Sequence, residues 1–147
     1  AEKLQNSLHY KANNFRHLYL KNIDGNLVSS PLPFPFQRYS INCMAKKDVN
    51  FDGFMDVVMA GNIFDSEAET PRSDAGFGIL ALGDGEGRFE FIPKSKSGLY
   101  IPYETQKIAF IKRKDQDYLL VANNNAESQL FLLREIPKNK YLLRNQN

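Results

Sequence analysis

Residues 48–60 read Asp48-Val49-Asn50-Phe51-Asp52-Gly53-Phe54-Met55-Asp56-Val57-Val58-Met59-Ala60. Side chains that end in oxygen occupy positions 1, 3, 5 and 9 of this stretch, glycine occupies position 6, and an apolar run rich in β-branched residues follows at once. The run is too short for a helix of ordinary length and has the composition of a strand, which we place over Met55–Ala60. Ahead of the loop, Ile41-Asn42-Cys43-Met44-Ala45 lies in a second strand-like segment that begins near Tyr39. Residues 48–56 are therefore a loop between two β-strands, and the fold is read outward from that pair.

The same texture continues on both sides. Phe15 to Leu20 and Leu27-Val28 flank Asp24-Gly25, a strong hairpin signal because both residues tolerate positive φ. Pro31, Pro33 and Pro35, interleaved with Leu32, Phe34 and Phe36, read as an extended crossing segment. Further strands are predicted over Phe77–Leu82, Arg88–Ile92, Thr105–Lys112, Tyr118–Ala122 and Gln129–Arg134. No helical periodicity is sustained over three turns.

Two features recur. The Asp24-Gly25 hairpin is echoed at Asp84-Gly85, each followed by a proline-bearing crossover, and Val57–Ala60 before Gly61-Asn62 is echoed by Leu119–Ala122 before Asn123-Asn124. The spacing of about 60 residues, with four strands per unit, has the form of a propeller blade. The expected fold is all-β, with two antiparallel four-stranded blade-like repeats. The expected organisation is a polar segment 1–14, a first repeat 15–76 with the acidic loop, a second repeat 77–134, and a tail 135–147. Two blades cannot close a ring, so the chain reads as a fragment of a larger propeller or as copies that complete their edges by association. It starts at Ala1, as a processed product or a piece of a longer chain does.

Calcium is a hard cation that takes six to eight oxygens from carboxylates, amides, carbonyls and water. Asp48, Asn50, Asp52 and Asp56 supply side-chain oxygens, the carbonyl of Phe54 falls at position 7, and Gly53 permits the reversal that turns them inward. Three carboxylates so close together are costly without a cation between them. Position 12, where a helix–loop–helix calcium hand carries a bidentate Glu, is Met59. Water or another residue must then complete the shell. Magnesium, with its tighter octahedral demand, suits the loop less well.

The stretch Asp48–Val58 resembles the repeat shared by integrin α-chain propellers (the FG-GAP repeat) and bacterial VCBS-type proteins. Arg72–Phe89, Ser97–Pro102 and Leu120–Asn125 are similar to segments in the C-terminal part of large bacterial members, many of them from Bacteroidetes. The resemblance covers roughly residues 14–134. It implies calcium bound in the first loop and an exported or cell-surface protein (secreted, periplasmic or on the cell surface) that binds other macromolecules. Lys114-Asp115-Gln116-Asp117 departs from the pattern, lacking the glycine and the full ligand set, so no calcium is expected there.

On this reading the chain is a binding or scaffold module with a protein or glycan ligand. The alternatives are a non-catalytic segment of a carbohydrate-active enzyme, or a purely structural spacer. The net charge of +2 gives no argument for nucleic acid. Residues 94–147 carry ten Lys and Arg against five acids, which reads either as a polyanion-binding surface or as solvated hairpin tips such as Lys112–Lys114. No run is long and apolar enough to span a membrane, and no signal peptide is recognised. Cys43 is the lone cysteine and is expected to be a buried inert thiol.

No enzyme is expected. His9 and His17 stand in no catalytic spacing, and Asp65, Glu67, Glu69 and Asp74 lie in a loop that fixes no separation between carboxyl groups. Gly83–Gly87 precedes a strand rather than a helix, so it reads as a turn and not a phosphate loop. The longest irregular stretch, Gly61–Gly76, is the expected functional surface, or else a mobile acidic loop, with Tyr100 and Tyr103 as aromatic candidates beside it.

Overall fold

The computed structural model describes residues 8, 10–67 and 69–134, and the backbone of 142–145. The chain divides into two compact units, 1–32 and 33–147. The protein is all-β with antiparallel sheets, as expected.

The first unit contains one hairpin, β1 (Leu18–Ile23) against β2 (Asn26–Pro31). Ile23 faces Asn26 across a two-residue turn in which Asp24 and Gly25 both have positive φ, 52° and 86°. That turn matches the right-handed twist of its strands. Apolar side chains stand exposed along both strands, among them Leu20, Leu27 and Val28.

The second unit holds two four-stranded sheets. One is ordered β3 (Ile41–Lys47), β4 (Asp56–Gly61), β5 (Ile79–Gly83), β6 (Phe89–Ile92). The other runs β7 (Thr105–Arg113), β8 (Gln116–Asn123), β9 (Gln129–Arg134), β10 (Leu142–Asn145). Within each sheet, every strand pairs antiparallel with its neighbour in sequence. The connection between the sheets passes through Pro93 and a single helical turn, α1 (Lys94–Ser97), which Gly98 ends at φ 69°. Ahead of β3, Pro33 likewise precedes one turn of 3-10 helix, Phe34–Gln37, which buries Phe36.

The grouping of strands differs from the sequence expectation. The proposed boundary at 76/77 falls inside the first sheet, because β5 pairs with the edge of β4 through Val57–Ala81, Val58–Leu80 and Met59–Ile79. The hairpin β1–β2 forms a sheet of its own rather than the first half of that unit. Part of the expected tail is strand, since β10 pairs with β9. The turns at Gly25 and Gly85 share their place before a Pro and a helical turn, but the second is longer. There the N–H of Asp84 donates to the Arg88 carbonyl, and the Asp84 carboxylate accepts the N–H groups of Glu86 and Arg88.

The pairs β3–β4 and β7–β8 share one irregularity. Ile41 faces Gly61 and Cys43 faces Ala60, leaving Asn42 as an extra residue. Thr105 faces Asn123 and Lys107 faces Ala122, leaving Gln106. The same bulge thus recurs at the same place, and Val57–Ala60 and Leu119–Ala122 occupy the second strand of each sheet. Gly61 is required at the first bulge: a Cβ there would lie 1.8 Å from the Ser40 carbonyl oxygen. One continuous core unites the sheets, with Val58, Ala60, Leu80 and Leu82 from the first packed with Ile108, Leu119, Val121 and Phe131 from the second. Each of these side chains except that of Ala60 contributes about 1.5–3 kcal/mol by leaving water. Lys47 and Asp117 form an ion pair of 3.0 Å between the sheets.

Candidate functional site

The acidic loop joins β3 to β4, beyond the last pair, Lys47–Asp56. At the corresponding place β7 and β8 continue pairing and close with a tight turn at Lys114-Asp115, where Lys114 has φ 55°. The loop instead folds back on itself through Phe51 and Gly53, with φ 59° and 93°. Gly53 accommodates this without a Cβ penalty.

Asp48, Asn50 and Asp52 are brought together around the N–H groups of residues 52–54. The Asp52 N–H is shared by Asp48 Oδ1 and Asn50 Oδ1, both at 3.2 Å. Gly53 N–H donates to Asp48 Oδ2 at 2.9 Å, and Phe54 N–H donates to Asp52 Oδ1 at 2.8 Å. The Asn50 amide donates to Asp52 Oδ2 at 2.7 Å. The ring of Phe54 lies over Gly85, where an added Cβ would come within 2.5 Å of it. The loop and the Gly83–Glu90 turn thereby flank an open cleft of about 510 Å³ lined by Asn50, Asp52, Asp84, Arg88 and Glu90.

Asp56 is placed differently. It is 1% exposed, its Oδ2 accepts the Val49 N–H at 2.8 Å, and its Oδ1 accepts the Gly83 N–H at 3.0 Å. Burial pushes its carboxyl upward, the two N–H donors pull it down, and the negative charges of Asp52 and Asp48 push it up again. Among the described residues, no three His, Cys, Asp or Glu side chains stand together as a metal cluster. The donor set is nonetheless all oxygen and hard: two carboxylates, one amide and one carbonyl at the loop, with a third carboxylate beneath. A carboxylate oxygen that accepts one N–H retains a second lone pair, so these contacts do not exclude a cation. Of the residues expected to hold calcium, Asp48, Asn50 and Asp52 are brought together at the loop, whereas Asp56 is turned inward and braces the loop base through Val49 and Gly83.

The long loop after β4 leaves from the opposite end of that strand. A metal at the acidic loop would not reach its base, because the six residues of β4 separate the two loops by roughly 20 Å at about 3.4 Å per residue. What fixes the base is Asn62, 1% exposed with φ 76°. Its Nδ2 donates to the carbonyls of Gly76, Pro102 and Tyr103 at 3.0, 3.2 and 3.3 Å, and its Oδ1 accepts the Gly76 N–H at 2.8 Å. The Phe64 N–H reaches the buried carboxylate of Glu104 at 3.3 Å, and Ile63 bridges to Ser73. Tyr100 and Tyr103 therefore do lie beside this loop. Phe77 stacks on Tyr100 at 5.7 Å, the Lys94 ammonium sits 3.5 Å from the Tyr100 ring centre, and the Arg72 guanidinium sits 3.8 Å from that of Phe64. Sequence reasoning missed Asn62, Phe64 and Phe77; the only signal for Asn62 was its recurrence as Asn123.

Asp65, Glu67, Glu69 and Asp74 are exposed, and Asp74 pairs loosely with Arg72 at 3.6 Å. Cys43 is half-buried, and its thiol donates to the Ala60 carbonyl. His9 lies outside the described residues, and the carbonyl of His17 accepts the Leu32 N–H within the first unit. No helix among the described residues is long and apolar enough to cross a membrane. No protein-family model, curated protein or solved structure matches this chain.

Proposed function

We propose that this chain is a calcium-stabilised pair of β-propeller blades, part of a larger propeller that serves as a binding or scaffold module of an exported or cell-surface protein. The observation that carries the reading is the oxygen-lined loop at the β3–β4 turn, held open where the matching β7–β8 turn closes tightly. Two meanders with the same bulge, side by side over one core, support the blade reading. The hairpin β1–β2, followed by Pro33 and a helical turn, corresponds in chain order to β5–β6 followed by Pro93 and α1. It is the outer half of a further blade, whose inner half comes from the remainder of a longer propeller or from a second copy.

Calcium supplies charge here rather than chemistry. It offsets the repulsion among Asp48, Asp52 and Asp56 and ties the ends of β3 and β4 together. Calorimetry with calcium on the intact chain and on Asp52→Ala tests this, together with melting in calcium and in chelator. We expect one site in the wild type and a stabilisation of about 2.7 kcal/mol at a hundredfold excess over Kd, both lost in the variant. Equal calcium response in the two proteins would refute the assignment.

A further inference from the structure

The dipeptide Asp-Gly occurs three times, at 24–25, 52–53 and 84–85. In such a pair the aspartate carboxyl can close on the next backbone nitrogen, because the glycine carries no Cβ to obstruct it. The structure restrains the three pairs very differently. Both oxygens of Asp52 are held, Oδ1 by the Phe54 N–H at 2.8 Å and Oδ2 by the Asn50 amide at 2.7 Å, while the Gly53 N–H is held by Asp48 Oδ2. Asp84 Oδ1 accepts the N–H groups of Glu86 and Arg88, and Oδ2 pairs with Arg88 Nε at 2.6 Å. The Phe54 ring also crowds Gly85. Asp24, by contrast, is exposed, and no donor or cation among the described residues meets its carboxylate. A Cβ added at Gly25 would meet nothing within 4 Å, so the turn has room around it. The Gly25 N–H donates to Asn22 Oδ1 at 2.9 Å, a restraint that lasts only while the hairpin is closed. β1 and β2 form a sheet of two strands, and a hairpin of that kind is marginal by itself.

From this contrast we propose that Asp24 is a covalent modification site, which isomerises to isoaspartate and so becomes a substrate for an S-adenosylmethionine-dependent isoaspartyl carboxyl methyltransferase. The Gly25 nitrogen attacks Cγ of the Asp24 carboxyl in its acid form. The N–Cγ bond forms, a Cγ–O bond breaks, and the departing hydroxyl takes the N–H proton and leaves as water. A second water opens the resulting five-membered imide at one of its two carbonyls. Opening at Cγ restores aspartate. Opening at the backbone carbonyl leaves the chain running through Cγ, with a free α-carboxylate that accepts the methyl group as an ester. Isoaspartate adds one methylene to the backbone of a two-residue turn whose fit depends on positive φ at both residues, 52° and 86°. The register from Ile23–Asn26 to Leu18–Pro31 then loses the turn that closes it.

The test is incubation of the full chain in mildly acidic buffer, with and without urea. Tryptic peptides are then read by fragmentation that separates aspartate from isoaspartate. Labelled S-adenosylmethionine and a purified isoaspartyl methyltransferase give a second reading on the intact chain. In the folded protein, isoaspartate at residue 24 should accumulate tenfold or more faster than at 52 or 84, the factor that breaking one or two hydrogen bonds imposes on a rate. In urea, which removes those bonds, the three rates should converge. Asp24→Ser should lose most of the methyl labelling, with thermal unfolding showing it folded. Hydrogen exchange over β1 and β2 should quicken in the isomerised protein while that over β4 stays unchanged. The ranking should be the same in calcium and in chelator, so this proposal stands or falls separately from the calcium reading. Faster isomerisation at Asp52 or Asp84 in the folded chain, equal rates at all three, the same ranking in urea, or methyl labelling that survives Asp24→Ser would each overturn it.

Discussion

Replacing Asp56 by alanine should destabilise the protein even when no calcium is present. The carboxylate is 1% exposed and is the acceptor for two backbone N–H groups, Val49 at 2.8 Å and Gly83 at 3.0 Å. Alanine leaves both donors without an acceptor in a place that water does not reach. An orphaned buried donor costs about 1–3 kcal/mol, so the two together cost about 2–6 kcal/mol. Part of this is offset, because the variant no longer holds a desolvated charge near Asp48 and Asp52. We therefore expect a net loss of about 2–4 kcal/mol, at the lower half of that range. For a chain of this length that corresponds to a fall in Tm of roughly 4–16 °C. Urea and thermal unfolding in chelator, for wild type, Asp56→Ala and Asp56→Asn, measure it. The asparagine variant keeps one acceptor and should fall between the other two. A Asp56→Ala protein within about 1 kcal/mol of wild type in chelator would show that the two hydrogen bonds do not brace the loop.

Three further outcomes follow from the same geometry. Gly61→Ala should cost about 3 kcal/mol in urea unfolding, because its Cβ would meet the Ser40 carbonyl and backbone cannot step aside as a side chain can. Asn62→Gly and Asn62→Ala should both lose stability, with alanine worse by about 1 kcal/mol, since only glycine takes φ 76° without strain; equal losses would mean the left-handed backbone is not retained. Burial pushes the Cys43 thiol above its ordinary value. Its neutral form therefore favours folding fully below the unfolded value of about 8.5, and this advantage is lost as pH rises through the higher folded value. The urea midpoint of wild type minus that of Cys43→Ala should accordingly decline above that pH, and a flat difference would contradict it.

Local structure was largely legible in the sequence, and the grouping of strands was not. Asp24-Gly25 announces its turn because both residues accept positive φ, and the apolar runs at Val57–Ala60 and Leu119–Ala122 mark equivalent strands at a fixed offset. A hairpin pattern, however, says which two strands meet across a turn and nothing about which hairpin meets the next. The boundary at 76/77 was misplaced for that reason: the connection 62–78 between β4 and β5 looks like a break in the chain but closes a strand pair. β10 is four residues long, and the sequence on either side of it is rich in Lys, Asn and Gln, so its pattern was too brief to read. At the acidic loop the alternation identified Asp48, Asn50 and Asp52 as a group, whereas the burial of Asp56 against Gly83 depends on β5, which lies far along the sequence. Asn62 gave no local sign of its role because two of its four hydrogen bonds form only when residues 102–103 fold against it, and the other two reach across the loop to Gly76.

The meander order of the two sheets has a consequence for how the chain is made. Since each strand bonds only to strands next to it in sequence, the first sheet needs nothing beyond Ile92 to complete its ladder. Closing one hairpin after another keeps the entropic cost of each step small, which favours quick and stepwise acquisition of structure. Translation from the N-terminus would present these strands in their order of pairing, so the first sheet can form while the second is still being synthesised. During that interval the inner face of Val58, Ala60, Leu80 and Leu82 waits uncovered for Leu119, Val121 and Phe131. Between emergence of residue 92 and emergence of residue 131 that apolar face is thus without its cover, and a chaperone at the ribosome would meet it then.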